Sequence, residues 1–279
     1  MSSLRPLLAS VWMGWQREIG WGNPALAIAA RAIAPTAGAL TATIVYWFGA
    51  SQVGSLDPTR LAYVVIGASL YGQIAIYAYV PTAAISEGKN SYVYPQVFVT
   101  PSSSIPYLAG RCVASFLESL PVVAMSIACC AVVSVEFFHS SLPLVVSPTS
   151  VFLVLLAMVV VFPSTLGLGY IIGSYSIFAS KFEWAVPSYI SGSLMILSEA
   201  LYPASALPWP LSAIASSLPF TYFMRATRDA LLYGSPTSYL SDMATALAIG
   251  VPTLLLGLIV FKLGEGRGRK KGFIDRKSM

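Results

Sequence analysis

The stretch "ALYPASALPWPLSAIASSLPFTYFMRATRDALLYG", from Ala200 to Gly234, separates two apolar runs that are long enough to suggest membrane crossings. It is mostly apolar itself, yet it contains four prolines and three charged residues. Proline interrupts a helix because it lacks a backbone N–H and clashes with the preceding turn. Irregular backbone at membrane depth is tolerated only where it packs against protein or lines a cavity. The stretch therefore predicts a broken segment held within a membrane-embedded fold.

The composition of the whole chain is that of a membrane protein. Of the 279 residues, 56% are hydrophobic and 10% are charged, whereas a soluble domain has roughly 25% charged residues. A helix that crosses the hydrocarbon core needs about 20 apolar residues. The chain thus has room for several spans and little room for a separate soluble domain. We predict one all-α transmembrane domain over residues 1–279.

Six apolar runs are separated by clusters of Pro, Gly and Ser. Each run predicts a transmembrane helix, and the fifth is unusually short. An even number of spans places both termini on the same side of the membrane. The runs are Ala27 to Phe48, Leu61 to Ile85, Leu108 to Val133, Val151 to Ile177, Val186 to Leu201 and Met243 to Phe261.

The lysine and arginine residues indicate which side that is, because cytoplasmic loops carry an excess of them. Arg60, Arg225 and Arg228 fall on the side away from the termini, and Arg31 lies just inside the first run. The remaining residues fall on the side of the termini: Arg5, Arg17, Lys89, Arg111, Lys181, Lys262, Arg267, Arg269, Lys270, Lys271, Arg276 and Lys277. Both termini are predicted to be cytoplasmic at the plasma membrane, with a basic tail over 262–279 that suits an anionic inner leaflet.

Residues 1–22 precede the first run and have an amphipathic pattern. The apolar residues follow the spacing that lines one face of a helix, and tryptophan is suited to the level of the lipid headgroups. We predict an interfacial helix lying on the membrane, with the N-terminus retained because it lacks the features of a cleaved signal. Its apolar face comprises Leu4, Leu7, Leu8, Val11, Trp12 and Trp15.

Motifs for catalysis are missing from the sequence. The one Gly-Lys pair, Gly88-Lys89, has Ala83 where a phosphate-binding loop needs its first glycine. A nucleophilic serine in a Gly-x-Ser-x-Gly context and paired intramembrane aspartates are also absent, and a single histidine, His139, cannot build a metal site. An enzyme is therefore not expected, nor a metal, a cofactor bound by this chain or a nucleic-acid partner.

Glu118 is the one acidic residue well inside a predicted span. Charged residues within spans are costly and often functional. Glu118 lies seven residues after Arg111, about two turns deeper on the same helical face. A structural ion pair with Arg111 or Arg31 would explain it, and a role in coupling transport to an ion is the sharper alternative.

The short fifth run carries several polar residues, among them Ser191, Ser198 and Glu199. Serine in a membrane helix can bond to its own backbone, so simple packing explains the serines. A short helix with polar residues is also typical of a span that lines a transport pathway. The sequence leaves both interpretations open.

The opening stretch resembles a known family in the order of its motifs. The stretch is similar to the segment between the last two spans of permeases of the ATP-binding-cassette (ABC) type-2 transporter family. The similarity rests on four motifs in order: Tyr202-Pro203, Ala206-Leu207-Pro208, the run from Leu218 to Tyr222, and Arg228. In that family the segment dips into the outer leaflet as two short re-entrant helices near the exit. The resemblance implies this arrangement for residues 202–234.

A second resemblance to the same family lies in "ISEGKNSYVYPQVFVTPSSSIPYLAGR", Ile85 to Arg111. It looks like the cytoplasmic loop of these permeases, with an acidic and basic cluster, an apolar stretch ending in Thr-Pro, and a Gly-Arg that enters the third span. The chain departs from the family at "YVYP", where a Gly-Thr and an acidic residue are usual. The corresponding positions here are Glu87, Lys89, Thr100, Pro101, Gly110 and Arg111.

The resemblance covers nearly the whole chain and implies a function. It implies two copies of this permease and two copies of a separate ATPase, which would bind ATP and Mg²⁺, forming one exporter in contact with membrane lipids. Residues 86–107 would be the cytoplasmic loop that couples the ATPase to the spans, although its large apolar residues could instead bury against headgroups. The expected coupling residues are Glu87, Lys89, Tyr92, Tyr94, Val97, Phe98, Thr100 and Pro101.

The resemblance and the polar residues together predict a pathway for an amphipathic small molecule, a lipid or a lipid-linked glycan. Charges at the edge of the broken segment are expected to stay hydrated and to shape the outer exit. The alternatives are an ion-coupled secondary transporter centred on Glu118 and a membrane-bound enzyme. The predicted pathway and exit residues are Glu118, Ser191, Ser198, Glu199, Tyr202, Pro203, Arg225 and Arg228.

Overall fold

The computed structural model describes residues 4–20, 22–99, 104–179 and 185–272. Over these residues it is built from helices joined by turns and loops, and strands are absent from this part of the chain. The α-helices are α1 (Leu4–Ile19), α2 (Pro24–Gln52), α3 (Pro58–Asn90), α4 (Val93–Val99), α5 (Ser104–Glu136), α6 (Pro148–Phe178), α7 (Ala185–Leu197), α8 (Leu211–Ser216), α9 (Pro219–Arg228) and α10 (Pro236–Lys270).

Five of these helices, α2, α3, α5, α6 and α10, are long and apolar enough to cross a membrane. Each has 29 to 35 residues, more than the 20 or so that the hydrocarbon core requires. They match five of the six predicted runs. The prediction of an all-α protein that passes the membrane several times is confirmed at this level.

The sequence sets the start of several long helices with the same local device. Proline occupies the first turn of α2, α3, α6 and α10, where its missing N–H is not needed. The preceding residue caps the helix in three of them. Asn23 accepts from the amide of Ala25, Asp57 accepts from that of Thr59, and Ser147 forms a reciprocal capping box with Ser150.

Contacts between helix ends define two ends of the bundle. At the end that we call the terminal end, Ser104 at the start of α5 donates to Glu265 near the end of α10. Helix α1 also lies there against α5, since a Cβ added at Gly110 would come 2.6 to 2.9 Å from α1 atoms. At the opposite end, which we call the far end, Tyr239 near the start of α10 donates to Leu153 near the start of α6.

The remaining predicted span, the fifth in chain order, corresponds to α7, which has 13 residues. At 1.5 Å per residue it is about 20 Å long, shorter than the hydrocarbon core of about 30 Å. Helix α6 ends at the terminal end, where Lys89 bonds to its last carbonyls, whereas α10 begins at the far end. The chain between them therefore runs from one end of the bundle to the other, and whether α7 itself spans the membrane stays a prediction.

The stretch that opened the sequence analysis is broken into short elements, as the prolines predict. A 3₁₀ turn (Ala204–Ala206), α8, α9 and a π turn (Asp229–Tyr233) follow α7 in order. Helix α9 packs against α3, α6 and α10, and Phe220, Phe223 and Met224 on it belong to the largest cluster of buried apolar residues. The segment is thus anchored by burial at the far end.

Candidate functional site

The far end holds an ion pair between α9 and the turn after α7, in which Glu199 is buried and Arg225 is partly exposed. Arg225 donates through Nε and Nη2 to the carboxylate of Glu199, with N···O distances of 2.6 to 3.1 Å. The same carboxylate accepts from the amide of Ala204 at 2.8 Å. Glu199 also adopts a left-handed backbone conformation, with φ of 58°, which is uncommon for a residue other than glycine. One side chain thus ties α9 to the turn that follows α7.

Arg228 makes a second connection, directed at the backbone. Its Nη2 donates to the carbonyl oxygens of Glu199 at 2.5 Å and Ala200 at 3.0 Å. Its guanidinium carbon lies 3.4 Å from the ring centroid of Tyr63 on α3, a cation–π contact. The close approach requires Gly67 on α3, because a Cβ there would lie 1.8 Å from the Ala200 oxygen and 2.4 Å from Nη2 of Arg228.

These contacts correct one expectation from the sequence. Charges at the edge of the broken segment were expected to be hydrated, but Arg228 is 1% exposed and Glu199 is 3% exposed. Arg225 is the member of the group that reaches solvent or lipid. The reason is that α9 packs its arginine-bearing face inward against the carbonyls left free at the end of α7. Tyr202 is half-buried and Pro203 is exposed, and a role for any of the five at an exit stays a prediction.

The two serines predicted to line a pathway have different surroundings. Ser191 on α7 is bonded through both its hydroxyl and its carbonyl oxygen to the hydroxyl of Tyr71 on α3. Ser198 is fully buried, and its hydroxyl has no hydrogen-bond partner among the described residues. The contact with Tyr71 agrees with a packing role for Ser191. A pathway role for either residue remains untested.

Glu118 forms an ion pair with Arg31, as one interpretation of the sequence required. The closest nitrogen and oxygen of the two side chains are 2.5 Å apart, and Glu118 is almost completely buried. Arg111, the other predicted partner, pairs instead with Glu18 on α1 at 3.1 Å and with Glu87 at 3.5 Å. The pairing of Glu118 with the first long helix is thus confirmed.

Glu118 belongs to a larger set of charges at the terminal end. Arg31 also pairs with Glu18, and Arg17 pairs with Glu87 at 2.9 Å. Three arginines and three glutamates from four helices form this set, which we call the terminal charge network: Arg17 and Glu18 of α1, Arg31 of α2, Glu87 of α3, and Arg111 and Glu118 of α5.

Sequence reasoning missed the role of α1 in this network. A Cβ added at Gly14 would lie 2.7 Å from Ala114, so the Gly14 face of α1 packs on α5. Glu18 is four residues later and shares that face. The pattern that could have revealed it is a glycine followed at i+4 by a carboxylate in a helix otherwise rich in apolar residues.

A small cavity of about 130 Å³, with both polar and apolar residues in its lining, lies beside the network between α2, α3 and α5. Gln73 and Ser119 line it, and the Ser119 hydroxyl donates to Gln73 Oε1 at 2.9 Å. The other end of the Gln73 amide, Nε2, has no hydrogen-bond partner among the described residues. A cavity of this size with polar groups in its lining can hold water, and it places polar groups next to Glu118 within the helical bundle.

The predicted coupling loop is largely helical. Helix α3 continues through Glu87 and Lys89 to Asn90, and α4 follows after a short turn. Lys89 is buried, and its Nζ donates to the carbonyls of Ser176 and Ile177 at 2.7 and 2.9 Å. A cation at the end of a helix satisfies free carbonyls and the helix dipole. Lys89 thus holds α3 to the end of α6.

The aromatic residues of this loop differ in exposure. Tyr94 is fully buried and packs beside Tyr107, so its ring supports α4, and its predicted coupling contact stays a prediction. Tyr92 is 53% exposed, and Val97 is half-buried. Coupling contacts were also predicted for Phe98, Thr100 and Pro101. The side chain of Phe98 lies outside the described part of the structure, and so do Thr100 and Pro101.

Within the described residues, no three or more His, Cys, Asp or Glu side chains come together in a way that could hold a metal ion. The chain matches no protein-family model, and comparison with curated proteins finds no match. The helical fold with its five long apolar helices is that of an all-α polytopic membrane protein. A more specific function has to be inferred from the residues of this chain.

Proposed function

We propose that this chain is the membrane-spanning permease subunit of an ATP-driven exporter of the ABC type-2 kind, moving an amphipathic small molecule, a lipid or a lipid-linked glycan outward. ATP hydrolysis with Mg²⁺ would take place on a separate ATPase, two copies of which would join two copies of this chain. The observation that carries the proposal is the segment 202–234. It folds into short helices at the far end, at the position where the resemblance implies two re-entrant helices.

The proposal includes six membrane crossings. The end of α6 and the start of α10 lie at opposite ends of the bundle, so the intervening chain has to cover that distance. This supports a sixth crossing made by α7 together with the broken segment. Both the N-terminal helix and the end of α10 then lie at the terminal end, which we infer to be cytoplasmic from the excess of lysine and arginine there.

Membrane sidedness can be tested by cysteine labelling in a background without the native cysteines. An impermeant thiol reagent added to intact cells should label Ser55→Cys and Ser141→Cys. It should label Ser278→Cys only after the cells are opened. The opposite pattern would invert the topology, and labelling of all three from outside would exclude six crossings.

Coupling in such an exporter has to be mechanical, because the sequence contains no nucleotide-binding loop. A partner can drive a conformational change only through contacts that differ between the two states. The terminal end offers α1 and the end of α3, which the Arg17–Glu87 pair joins, and α4, which packs against α3. This group of elements is the surface that we propose for the ATPase.

The decisive experiment for this function is purification of the tagged chain at native expression level from its own host. A mild detergent extract should contain a protein with a phosphate-binding Gly-Lys-Ser/Thr loop at equal stoichiometry. The complex should have the mass of two copies of each chain and should hydrolyse ATP. A chain that purifies alone, or only as a homo-oligomer, in several detergents that preserve other transporter complexes would contradict the proposal.

One observation favours a second candidate, an ion-coupled secondary transporter. The cavity beside Glu118 is lined by Gln73, whose amide nitrogen has no hydrogen-bond partner among the described residues, and a water molecule in the cavity could accept from it. The pairing of Glu118 with Arg31 weighs against it, because an added cation would face the arginine. Substrate uptake into liposomes that contain this chain alone, driven by an ion gradient and abolished by Glu118→Gln, would favour this candidate over the exporter.

A further inference from the structure

An apolar cleft of about 340 Å³ lies between α5 and α6 on the half of the bundle toward the far end. Its thirteen lining residues are all apolar. The small side chains of Ala124, Ala128 and Ala131 on one face of α5 open the space, and Val151 and Leu155 of α6 form the opposite wall. Both of these α6 residues are exposed, so the cleft is accessible from the side of the protein.

The extent of the cleft matches one leaflet of a membrane. Phe116 and Phe162 contact each other edge to face, with centroids 5.3 Å apart, about one turn below the cleft. From Leu120 to Ala131 along α5 the rise is about 16 Å at 1.5 Å per residue. That is close to half of the hydrocarbon thickness of about 30 Å. The cleft therefore has the length of one lipid leaflet and is closed near the middle of the bundle.

A second cavity, of about 220 Å³, adjoins the cleft at the far end, and we call it the polar cavity because its otherwise largely apolar lining includes polar side chains that the cleft lacks. It is lined by Ser147, Thr149, Asp229 and Ser235 among others. Asp229 is partly exposed where it lines this cavity. Within the part of the chain that the structure describes it has no arginine or lysine partner.

The two cavities share one wall. The amide of Val145 donates to the carbonyl of Leu231 at 2.7 Å, and the extended chain there sends alternate side chains to opposite sides. Val145 lines the polar cavity, while Leu144 and Val146 line the apolar cleft. Leu231 lines the cleft and its neighbour Ala230 lines the polar cavity. An amphipathic molecule could fill both sides at once.

We propose that these two cavities bind one phospholipid of the far-side leaflet, with an acyl chain in the apolar cleft and a primary-ammonium headgroup at Asp229. The chemistry of the walls selects this occupant. Hydrocarbon alone has no preference for an apolar wall over bulk lipid, so retention has to come from the headgroup. An ammonium group supplies both the charge and the hydrogen-bond donors that an unpaired carboxylate lacks.

A second copy of this chain fits the cleft less well. Stable protein interfaces use about 20 to 30 residues on each side, whereas thirteen residues line the cleft. The surface is also concave, which suits a flexible chain better than a helix face. The inference goes beyond export, since it requires only that the long helices lie in a bilayer.

The test uses the full chain in nanodiscs that contain equal amounts of phosphatidylethanolamine, phosphatidylcholine and phosphatidylglycerol. A phosphatidylethanolamine with a photoreactive group midway along one acyl chain is added, and the labelled peptides are identified by mass spectrometry. Labelling within 120–131 and 151–158 should exceed that around Leu255 and Ile259, which are exposed on α10 and report ordinary surrounding lipid. The equivalent phosphatidylcholine probe should show a smaller excess.

Three variants separate the two halves of the site. Ala128→Phe fills the apolar cleft and should remove the excess labelling for every headgroup. Asp229→Asn should lower the preference for phosphatidylethanolamine about threefold, as expected for a partly exposed ion pair. Glu136→Gln, an exposed far-end carboxylate outside both cavities, should leave the preference unchanged.

Three results would overturn the proposal. Equal labelling of the cleft and of α10 would show surrounding lipid only. An undiminished headgroup preference in Asp229→Asn would remove the headgroup from this cavity. Disulfide cross-linking between two copies of Leu155→Cys in nanodiscs would show that a second chain, and not a lipid, occupies the cleft. Because the readout is lipid labelling, its failure leaves the exporter proposal standing, and co-purification with an ATPase tests that proposal separately.

Discussion

The two ends of the bundle both bury charged residues, but they hold them in different ways. At the far end Arg228 donates through Nη2 to backbone carbonyls and stacks on Tyr63, while its Nε and Nη1 have no hydrogen-bond partner among the described residues. At the terminal end the charges pair side chain to side chain, and Arg111 shares two glutamates. Backbone acceptors cannot move without moving a helix, whereas side-chain pairs can exchange partners. The comparison suggests a rigid far end and an adjustable terminal end.

The largest expected effect comes from Arg228. Arg228→Leu would leave the carbonyls of Glu199 and Ala200 buried without a donor, and it should destabilise the protein by about 3 kcal/mol. Thermal unfolding in detergent would measure this. Arg60→Ala is the matched control, because Arg60 is an exposed far-end arginine and its loss should change stability by less than about 0.5 kcal/mol. Similar effects for the two variants would refute a special role for Arg228.

The second-largest effect is expected for Gly67, which allows Arg228 and the Ala200 carbonyl to lie close to α3. Gly67→Ala places a Cβ within 1.8 Å of the Ala200 oxygen, so the segment after α7 has to shift, at a cost of about 2 kcal/mol. Gly49→Ala is the control, because a Cβ there has nothing within 4 Å, and it should be neutral or slightly stabilising. Unfolding midpoints that fall equally in both variants would mean that helix propensity, and not packing, sets the result.

Stability effects at the terminal end should be smaller, because remaining partners compensate. Glu18→Gln removes the shared partner of Arg31 and Arg111 and should cost about 1.5 kcal/mol. Glu118→Gln should cost less, since Arg31 keeps Glu18. If instead Glu118→Gln is the more damaging variant, then the network is centred on Glu118 and partner exchange is not available.

The smallest effect is expected for the Arg17–Glu87 pair, whose side chains are 45% and 38% exposed. A double-mutant cycle with Arg17→Gln and Glu87→Gln should give a coupling energy of no more than about 0.5 kcal/mol, and less in high salt. A coupling of several kcal/mol that is insensitive to salt would show that α1 is fixed to α3, and the terminal end would then not be adjustable.

Part of this fold could be predicted from the sequence because it depends on neighbouring residues. The apolar runs gave the five long helices, and prolines in the first turn mark where four of them begin. The short α7 and the broken segment at residues 202–234 also follow from local pattern. In each case the residues that determine the structure lie within a few positions of one another.

The rest depends on contacts between residues far apart in the chain. Nothing near Arg228 indicates that it will be buried, since its acceptors lie in the turn after α7 and its aromatic partner lies on α3. The role of Gly67 is visible only beside Ala200. From the sequence, Lys89 and Tyr94 are expected to be loop residues that are available to a partner. In the structure both are buried by the packing of α3 and α4 against neighbouring helices. Sequence reasoning thus located these ends and misjudged the exposure of their side chains.

The central claim is that an ATPase contacts the terminal end and not the far end, and one measurement tests it directly. A photoreactive phenylalanine analogue replaces Tyr92 at the terminal end or Trp209 at the far end, both of which are exposed aromatic residues, at 53% and 82%. After irradiation of the native host membranes, position 92 should cross-link to a protein that carries a nucleotide-binding loop, and position 209 should not. Cross-linking of that protein from position 209, or the absence of any such product from position 92 while the two chains co-purify, would contradict the account.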